Sequence, residues 1–288
     1  MRSWVIATRP KTLVAALVPV MVGASLAKEH NLFSATPVLL CLIFALVIQI
    51  ASNFANDYYD FLKGADGSQR LGPKRVVAAG LITPAKMRLA MILTLCIAFF
   101  VGLALLPYGG MILLWIGVAS LVCAVAYTGG PFPLAYLGLG DIFVIAFFGI
   151  IAVAFTFYVQ TGNFVADVWW AGLAVGLIIN NLLVVNNYRD IEEDRLSNKK
   201  TLAVRFGPSF SLIQLRLQTF GAIFCAYWIS AVDKWLYLLP TLSILIFGFT
   251  IVRKIQKAKS PTQFEECLRL SALMVPLFGI LLCFAILI

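Results

Sequence analysis

Apolar runs of about 20 residues recur along the whole chain, each bounded by polar or Pro/Gly breaks. About 20 residues of helix cross the roughly 30 Å hydrocarbon layer of a bilayer. Nine runs meet this reading, at 12–28, 36–62, 84–106, 111–128, 141–160, 168–190, 208–231, 235–253 and 268–288. Composition agrees: 61% of the 288 residues are hydrophobic and 12% charged, against about 45–50% and about 25% in soluble domains. One soluble core cannot bury that much apolar surface and still present a polar skin. The expectation is an all-α polytopic membrane protein, one transmembrane domain over 1–288, with about nine transmembrane helices. The first run follows Arg2, Arg9 and Lys11 and reads as a first span, not a cleaved leader, because similar runs follow it.

The basic residues test this count. Counting the N-terminus and every second loop as one side places 20 of the 22 Lys and Arg there. Lys28 and Lys234 fall on the other. The positive-inside rule makes the basic side cytoplasmic, so the N-terminus and loops two, four, six and eight face the cytoplasm and the C-terminus faces outside. The expected location is the cytoplasmic (inner) membrane, with the lipid bilayer as partner. Topology accounts for much of the net charge of +9, and no nucleic-acid partner is expected.

Ten of the 13 acids lie on the basic side, and eight gather in or beside one proposed pocket. The first cluster ends the second run, where Asn53 and Asp57, and Asn56 and Asp60, stand four apart. On a helix such pairs share one face. Gln49 and Ser52 carry the polar stripe inward, and Asp66 follows Gly64. The second cluster ends the sixth run, with Asn186, Asp190 and Asp194 at i, i+4 and i+8, and with Asn187 one turn before Asp190. A carboxylate within a bilayer costs on the order of 2.5–3.5 kcal/mol and normally faces an internal polar cavity. Interfacial helix ends paired with nearby lysines and arginines would also give such clusters. Two Asn-plus-Asp groups on one face, each followed by a basic loop, point instead to a bound ligand.

The donor set is oxygen-rich. His30 is the only histidine and no CxxC pair exists among the six cysteines, which excludes a His-ligated zinc site and a Ser-His-Asp triad. Carboxylates and Asn carbonyls suit Mg²⁺, which commonly completes its shell with water and substrate phosphate. The chemistry that fits is a diphosphate held through Mg²⁺, with Lys11, Arg70, Arg75, Arg189, Lys199, Lys200 and Arg205 as candidates for the remaining phosphate oxygens.

At these residues the chain resembles the UbiA superfamily of intramembrane aromatic prenyltransferases. The two Asp-rich signatures read Asn56-Asp57-x-x-Asp60 and Asp190-x-x-x-Asp194. Four longer stretches resemble the branch that prenylates 1,4-dihydroxy-2-naphthoate. They are ATRPKTL at 7–13, SNFANDYYDFLKGAD with RLGP at 52–73, AYTGGPFPLAYLGLGDIFV at 126–144, and NNYRDIEEDR with KKTLAVRFG at 186–207. The resemblance implies nine helices around a central cavity, capped by cytoplasmic loops. It implies transfer of a polyprenyl group from a polyprenyl diphosphate to 1,4-dihydroxy-2-naphthoate, with loss of CO₂. It also implies two Mg²⁺ ions, one held by Asn56, Asp60 and Asp66, the other by Asp190 and Asp194 with Asn186 or Asn187. Asp57 would orient a Lys or Arg. Tyr127, Asp141 and Lys11 would serve catalysis, with Tyr58, Tyr59 and Tyr188 as further faces for an allylic cation. A different acceptor (4-hydroxybenzoate or homogentisate) or a phytyl donor keeps the class. An ion-coupled transporter would be a different class, but its acids belong nearer the midplane. The DG-x-x-AR signature of CDP-alcohol phosphotransferases is missing after Asp66-Gly67.

Overall fold

The computed structural model describes residues 2–65, 75–230, 232–233 and 235–288. Asp66 and Arg70 lie outside the described residues. Among these residues the chain is helical, with no strand. The helices are α1 (Arg2–Thr8), α2 (Pro10–Glu29), α3 (Ala35–Leu62), α4 (Pro84–Leu103), α5 (Leu106–Gly109), α6 (Met111–Ala126), α7 (Gly140–Val144), α8 (Ala152–Thr161), α9 (Ala166–Arg189), α10 (Ile191–Leu196), α11 (Leu202–Tyr227), α12 (Leu238–Lys257) and α13 (Pro261–Leu287). A π-helical stretch, Ile145–Ile151, joins α7 to α8 in one continuous rod.

Each of the nine apolar runs contains helix among the described residues. Among the described residues seven rods are long and apolar enough to cross a membrane: α2, α3, α4, the α7–α8 rod, α9, α12 and α13. Helix α6 has only 16 residues. Helix α11 is long but interrupted, because Gly207 adopts φ 80° and Pro208 follows it. Proline has no N–H to continue the ladder. The last helix starts seven residues before the predicted 268, since Ser260 and Gln263 form a reciprocal capping box. That box satisfies amide donors that the first turn leaves open.

Helix α9 is the axis of the bundle, packing on α11, the π stretch, α13, α8 and α2. Its contact with the π stretch is almost backbone on backbone. A Cβ at Gly176 would lie 2.7 Å from the Ile145 carbonyl oxygen, and one at Gly149 2.7 Å from the Gly176 nitrogen. Small residues allow such approach where lipid offers no hydrophobic drive for helix association. The largest core lies among α2, α8, α9, α11, α12 and α13. A second core joins α1 and α3 to residues 76–91, and a third closes one end between α2, α3, α5, α6 and α8.

Gly176→Ala is expected to cost about 1–3 kcal/mol through forced separation of α9 from the π stretch. Gly117→Ala, where an added Cβ meets nothing within 4 Å, is the neutral control. Thermal unfolding of the detergent-solubilised protein compares the two.

Candidate active site

One elongated cavity of about 330 Å³ is lined by α2, α3, α6, the π rod and α9. Along α3 its lining runs from Cys41 to Asn56, about 22 Å at 1.5 Å per residue. One end is polar, with Arg9, Asn53, Asn56, Tyr127 and Asn186. The remainder is aliphatic and aromatic, including Phe44, Phe143, Phe147 and Phe155. The two Asn-plus-Asp clusters therefore meet at the same end of one hydrophobic tunnel.

The first cluster is held by cations from two directions. Asp57, buried on α3, accepts from Arg9 Nη2 at 3.1 Å and from Arg75 Nη1 at 3.3 Å. Arg75 Nη2 also reaches Asp60 at 3.4 Å. Arg9 lies at the break between α1 and α2 in a left-handed conformation, φ 50°. That conformation is strained for a side chain with a Cβ, and here it turns the guanidinium toward α3. Asn56 Oδ1 accepts from the Thr128 hydroxyl at 2.8 Å, and Asp60 Oδ1 from the Tyr136 phenol at 3.0 Å.

The second cluster departs from the regular spacing expected of one helix. Helix α9 stops at Arg189, and Asp190 (φ −94°, ψ 12°) turns the chain into α10. The reason is local pairing: Arg189, itself buried, donates from Nε and Nη2 to the two oxygens of Asp190 at 2.5 and 2.7 Å. Asp194 is buried on α10, and Lys199 Nζ reaches its Oδ1 at 3.1 Å. Its Oδ2 is buried without a hydrogen-bond partner. Burial pushes the Asp194 carboxyl up to about 6; the Lys199 ammonium opposes this and Asp190 adds to it.

The segment 127–139 ties the clusters together. Tyr136 donates its phenol to Asp60, and its carbonyl accepts from the Lys200 amide at 2.9 Å. Arg205 donates to the carbonyls of Lys200 and Leu137 at 3.0 and 2.8 Å. Lys63 donates to the Thr128 carbonyl and lies 4.1 Å from the Tyr136 ring centroid. Gly138 packs under Lys200 at φ 75°, where a Cβ would come 2.6 Å from the Lys200 carbonyl. Only glycine takes that position without cost.

Tyr127 stands between the tunnel and a small hollow lined also by Asp141, Asn187, Lys199 and Thr201. Asp141 Oδ1 accepts from Asn180 Nδ2 at 2.9 Å and Gln214 Nε2 at 2.6 Å.

Of the sequence candidates, Asn56, Tyr127 and Asn186 line the tunnel. Asp57, Asp60, Arg75, Arg189, Asp190, Asp194 and Lys199 form the charged shell around its polar end. Lys11 does not join them: it is exposed and pairs with Glu265 at 2.7 Å. Lys200 is exposed and enters only through its backbone, and Arg205 is spent on carbonyls. Tyr58 and Tyr59 pack on the α1–α3 core and Tyr188 on the largest core, not on the tunnel. Arg9, Thr128, Tyr136 and Gln214 are the residues that sequence reasoning passed over as site members. Arg9 had a signal, since it sits in the ATRPKTL stretch beside Lys11.

The model of the UbiA prenyltransferase family matches residues 16–285. The chain belongs to this family. The 1,4-dihydroxy-2-naphthoate octaprenyltransferase of Escherichia coli K12 is 39% identical over 214 residues, covering 72% of this chain and 69% of that protein. The same-named protein of Haemophilus influenzae is 37% identical, covering 72% and 70%. A UbiA homologue from Archaeoglobus fulgidus, solved with DMAPP and Mg²⁺, shares the fold at a TM-score of 0.68 and 19% identity, over 99% of both chains. The protein is thus an integral membrane prenyltransferase.

The placement of the two cations separates their roles. Arg9→Ala is expected to lower kcat/KM by about tenfold or more, since a cation paired with a buried carboxylate is removed. Lys11→Ala is expected to stay within about threefold, as an exposed pair contributes little. Steady-state prenyl transfer in detergent compares them.

Proposed function

We propose that the protein transfers a polyprenyl group from a polyprenyl diphosphate to 1,4-dihydroxy-2-naphthoate, releasing diphosphate and CO₂. The observation that carries this reading is the convergence of both acid clusters on the polar end of one long apolar tunnel. Such a space takes a ligand with a highly charged head and a hydrocarbon tail. The two octaprenyltransferases at 37–39% identity support the naphthoate as acceptor.

Mg²⁺ is the proposed partner of the diphosphate. The donor chemistry fits: Asp194 Oδ2 is buried and unpartnered, and the neighbouring donors are carboxylates and amide oxygens. Among the described residues no three acids, histidines or cysteines gather as a closed metal site. One ion would be held by Asn56 and Asp60, and a second by Asp190 and Asp194 with Asn186 or Asn187, the diphosphate oxygens supplying further donors. Asp66, which the resemblance adds as a metal ligand, and Arg70, a candidate for the phosphate oxygens, lie outside the described residues. Bound Mg²⁺ supplies positive charge against the departing diphosphate.

The chain's own residues do the rest. Arg75, Arg189 and Lys199 set positive charge against Asp57, Asp60, Asp190 and Asp194 at the charged end. Arg9 places positive charge on the tunnel wall. Tyr127 presents an aromatic face and an O–H where the tail meets the head. Asp141, its carboxylate fixed by Asn180 and Gln214, accepts a hydrogen bond from an acceptor hydroxyl and raises the electron density of the ring. The allylic C–O bond breaks and its electron pair leaves with diphosphate. The ring carbon bearing the carboxylate bonds to the allylic carbon; the C–CO₂ bond then breaks and its electrons restore the aromatic ring. Apolar walls keep water from the cation. The polar end, with the N-terminus and α10, faces the cytoplasm in this reading, with nine crossings and the C-terminus outside.

The test is product mass from purified protein in nanodiscs with a prenyl diphosphate, Mg²⁺ and each acceptor. A prenylated naphthalenediol without the carboxyl is expected. A product retaining the carboxyl, or turnover with 4-hydroxybenzoate alone, would contradict the assignment. Asp194→Asn is expected to lower kcat by about 10²-fold or more, as loss of a preorganised charge at a leaving group does, with the protein still inserted. Near-normal turnover would remove Asp194 from the site.

A further inference from the structure

The rod from Gly140 to Thr161 lines the tunnel in an unusual rhythm. Phe143, Phe147, Ile151, Phe155 and Val159 face it at four-residue intervals, and each of the first four is followed by a second lining residue. An α-helix turns about 100° per residue, so a four-residue step overshoots a full turn by about 40°. Over four steps the stripe would rotate by about 160°, and the last residue would point nearly opposite to the first. Here the stripe stays on one face. The cause is the π-helical stretch Ile145–Ile151. Its i→i+5 bonding puts more residues in each turn, so a four-residue step falls short of a full turn and cancels the drift.

Two further observations point to a purpose. The π stretch is clamped from behind, because Gly149 meets Gly172 and Gly176 of α9 at backbone contact. Phe143 and Phe147 stack with rings 5° from parallel and centroids 5.9 Å apart. Neither ring belongs to any of the three cores, whereas Val144 and Phe148 beside them pack on the largest. The pair is therefore presented to the tunnel and not used to hold helices together.

We propose that the π stretch is the element that reads the donor tail. It aligns Phe143, Phe147 and Phe155 as one wall against a linear isoprenoid, so that affinity grows with each unit that reaches a rung. This rests on the prenyl-donor reading above. Four helical residues rise about 6 Å, and an isoprene unit adds four carbons to the chain, a length of the same order. Aromatic faces suit alkene-bearing chains through offset contact of their π systems.

The experiment measures KM and kcat for dimethylallyl, geranyl and geranylgeranyl diphosphates, with the naphthoate acceptor held constant. Phe147→Ala is expected to raise KM for geranylgeranyl diphosphate by about tenfold or more while leaving that of dimethylallyl diphosphate within about twofold. Phe155→Leu is expected to affect only the longest donor. Deletion of Ala146, which removes the extra residue, is expected to give the same length-graded loss by rotating the two halves of the stripe apart. Effects equal across donor lengths, or no effect of Phe147→Ala on any donor, would overturn the proposal while the prenyltransferase assignment stands. Wild-type protein that turns over none of the three donors, nor octaprenyl diphosphate, would instead overturn that assignment and the ladder with it.

Discussion

The structure depends on pairing several carboxylates with cations at one end of the membrane helices. Each would cost several kcal/mol if left unpaired away from water. Asp57 and Asp60 share Arg75, Asp57 adds Arg9, Asp190 takes Arg189, and Asp194 takes Lys199. These pairings draw on α3, the segment after it, the α1–α2 break and the α9–α10 turn. The acids thereby decide where distant parts of the chain must meet. Removing one cation leaves a buried charge uncompensated, which is far more damaging than losing an exposed pair. One oxygen of Asp194 is left without a partner, and there the set has room for a further cation.

The loop between α6 and α7 converts these pairings into a site. It brings Tyr136 to Asp60 and to the Lys200 backbone, and it places Tyr127 between tunnel and hollow. Its glycines permit close passage under Lys200 and over Tyr59. In the proposed reading the head of a bound ligand is fixed by charge and its tail by a wall whose regularity comes from a π turn. Both devices work only because α9 stands rigidly behind them, its small residues locked against the π stretch.

Much of this could be read before any coordinates. The rods followed from apolar runs, and the facing acids followed from helical spacing, because both are local periodic signals. Asn56 and Asn186 were reachable for the same reason. What tertiary contact decides was hidden. Spacing alone made Asn186, Asp190 and Asp194 one stripe, whereas the Arg189–Asp190 pair ends the helix between them. Lys11 and Arg9 look equivalent as basic residues near the N-terminus, yet a left-handed turn sends Arg9 to Asp57 while Lys11 reaches Glu265 at the surface. Tyr136 and Gln214 carry no pattern of their own, and only the fold brings them to Asp60 and Asp141. The π turn leaves a trace in the four-residue rhythm of phenylalanines at 143, 147 and 155, but apolar composition alone does not distinguish that rhythm from a lipid-facing helix.

The central claim is that the two acid clusters hold one ligand head between them. Calorimetric binding of a non-reacting prenyl thiodiphosphate in the presence of Mg²⁺ tests it, using wild type, Asp60→Asn, Asp194→Asn and the double variant. Groups that share one ligand couple, so the double variant should depart from the sum of the single losses by about 1 kcal/mol or more. Strict additivity, within about 0.3–0.5 kcal/mol, would mean that the clusters act independently and would contradict the account.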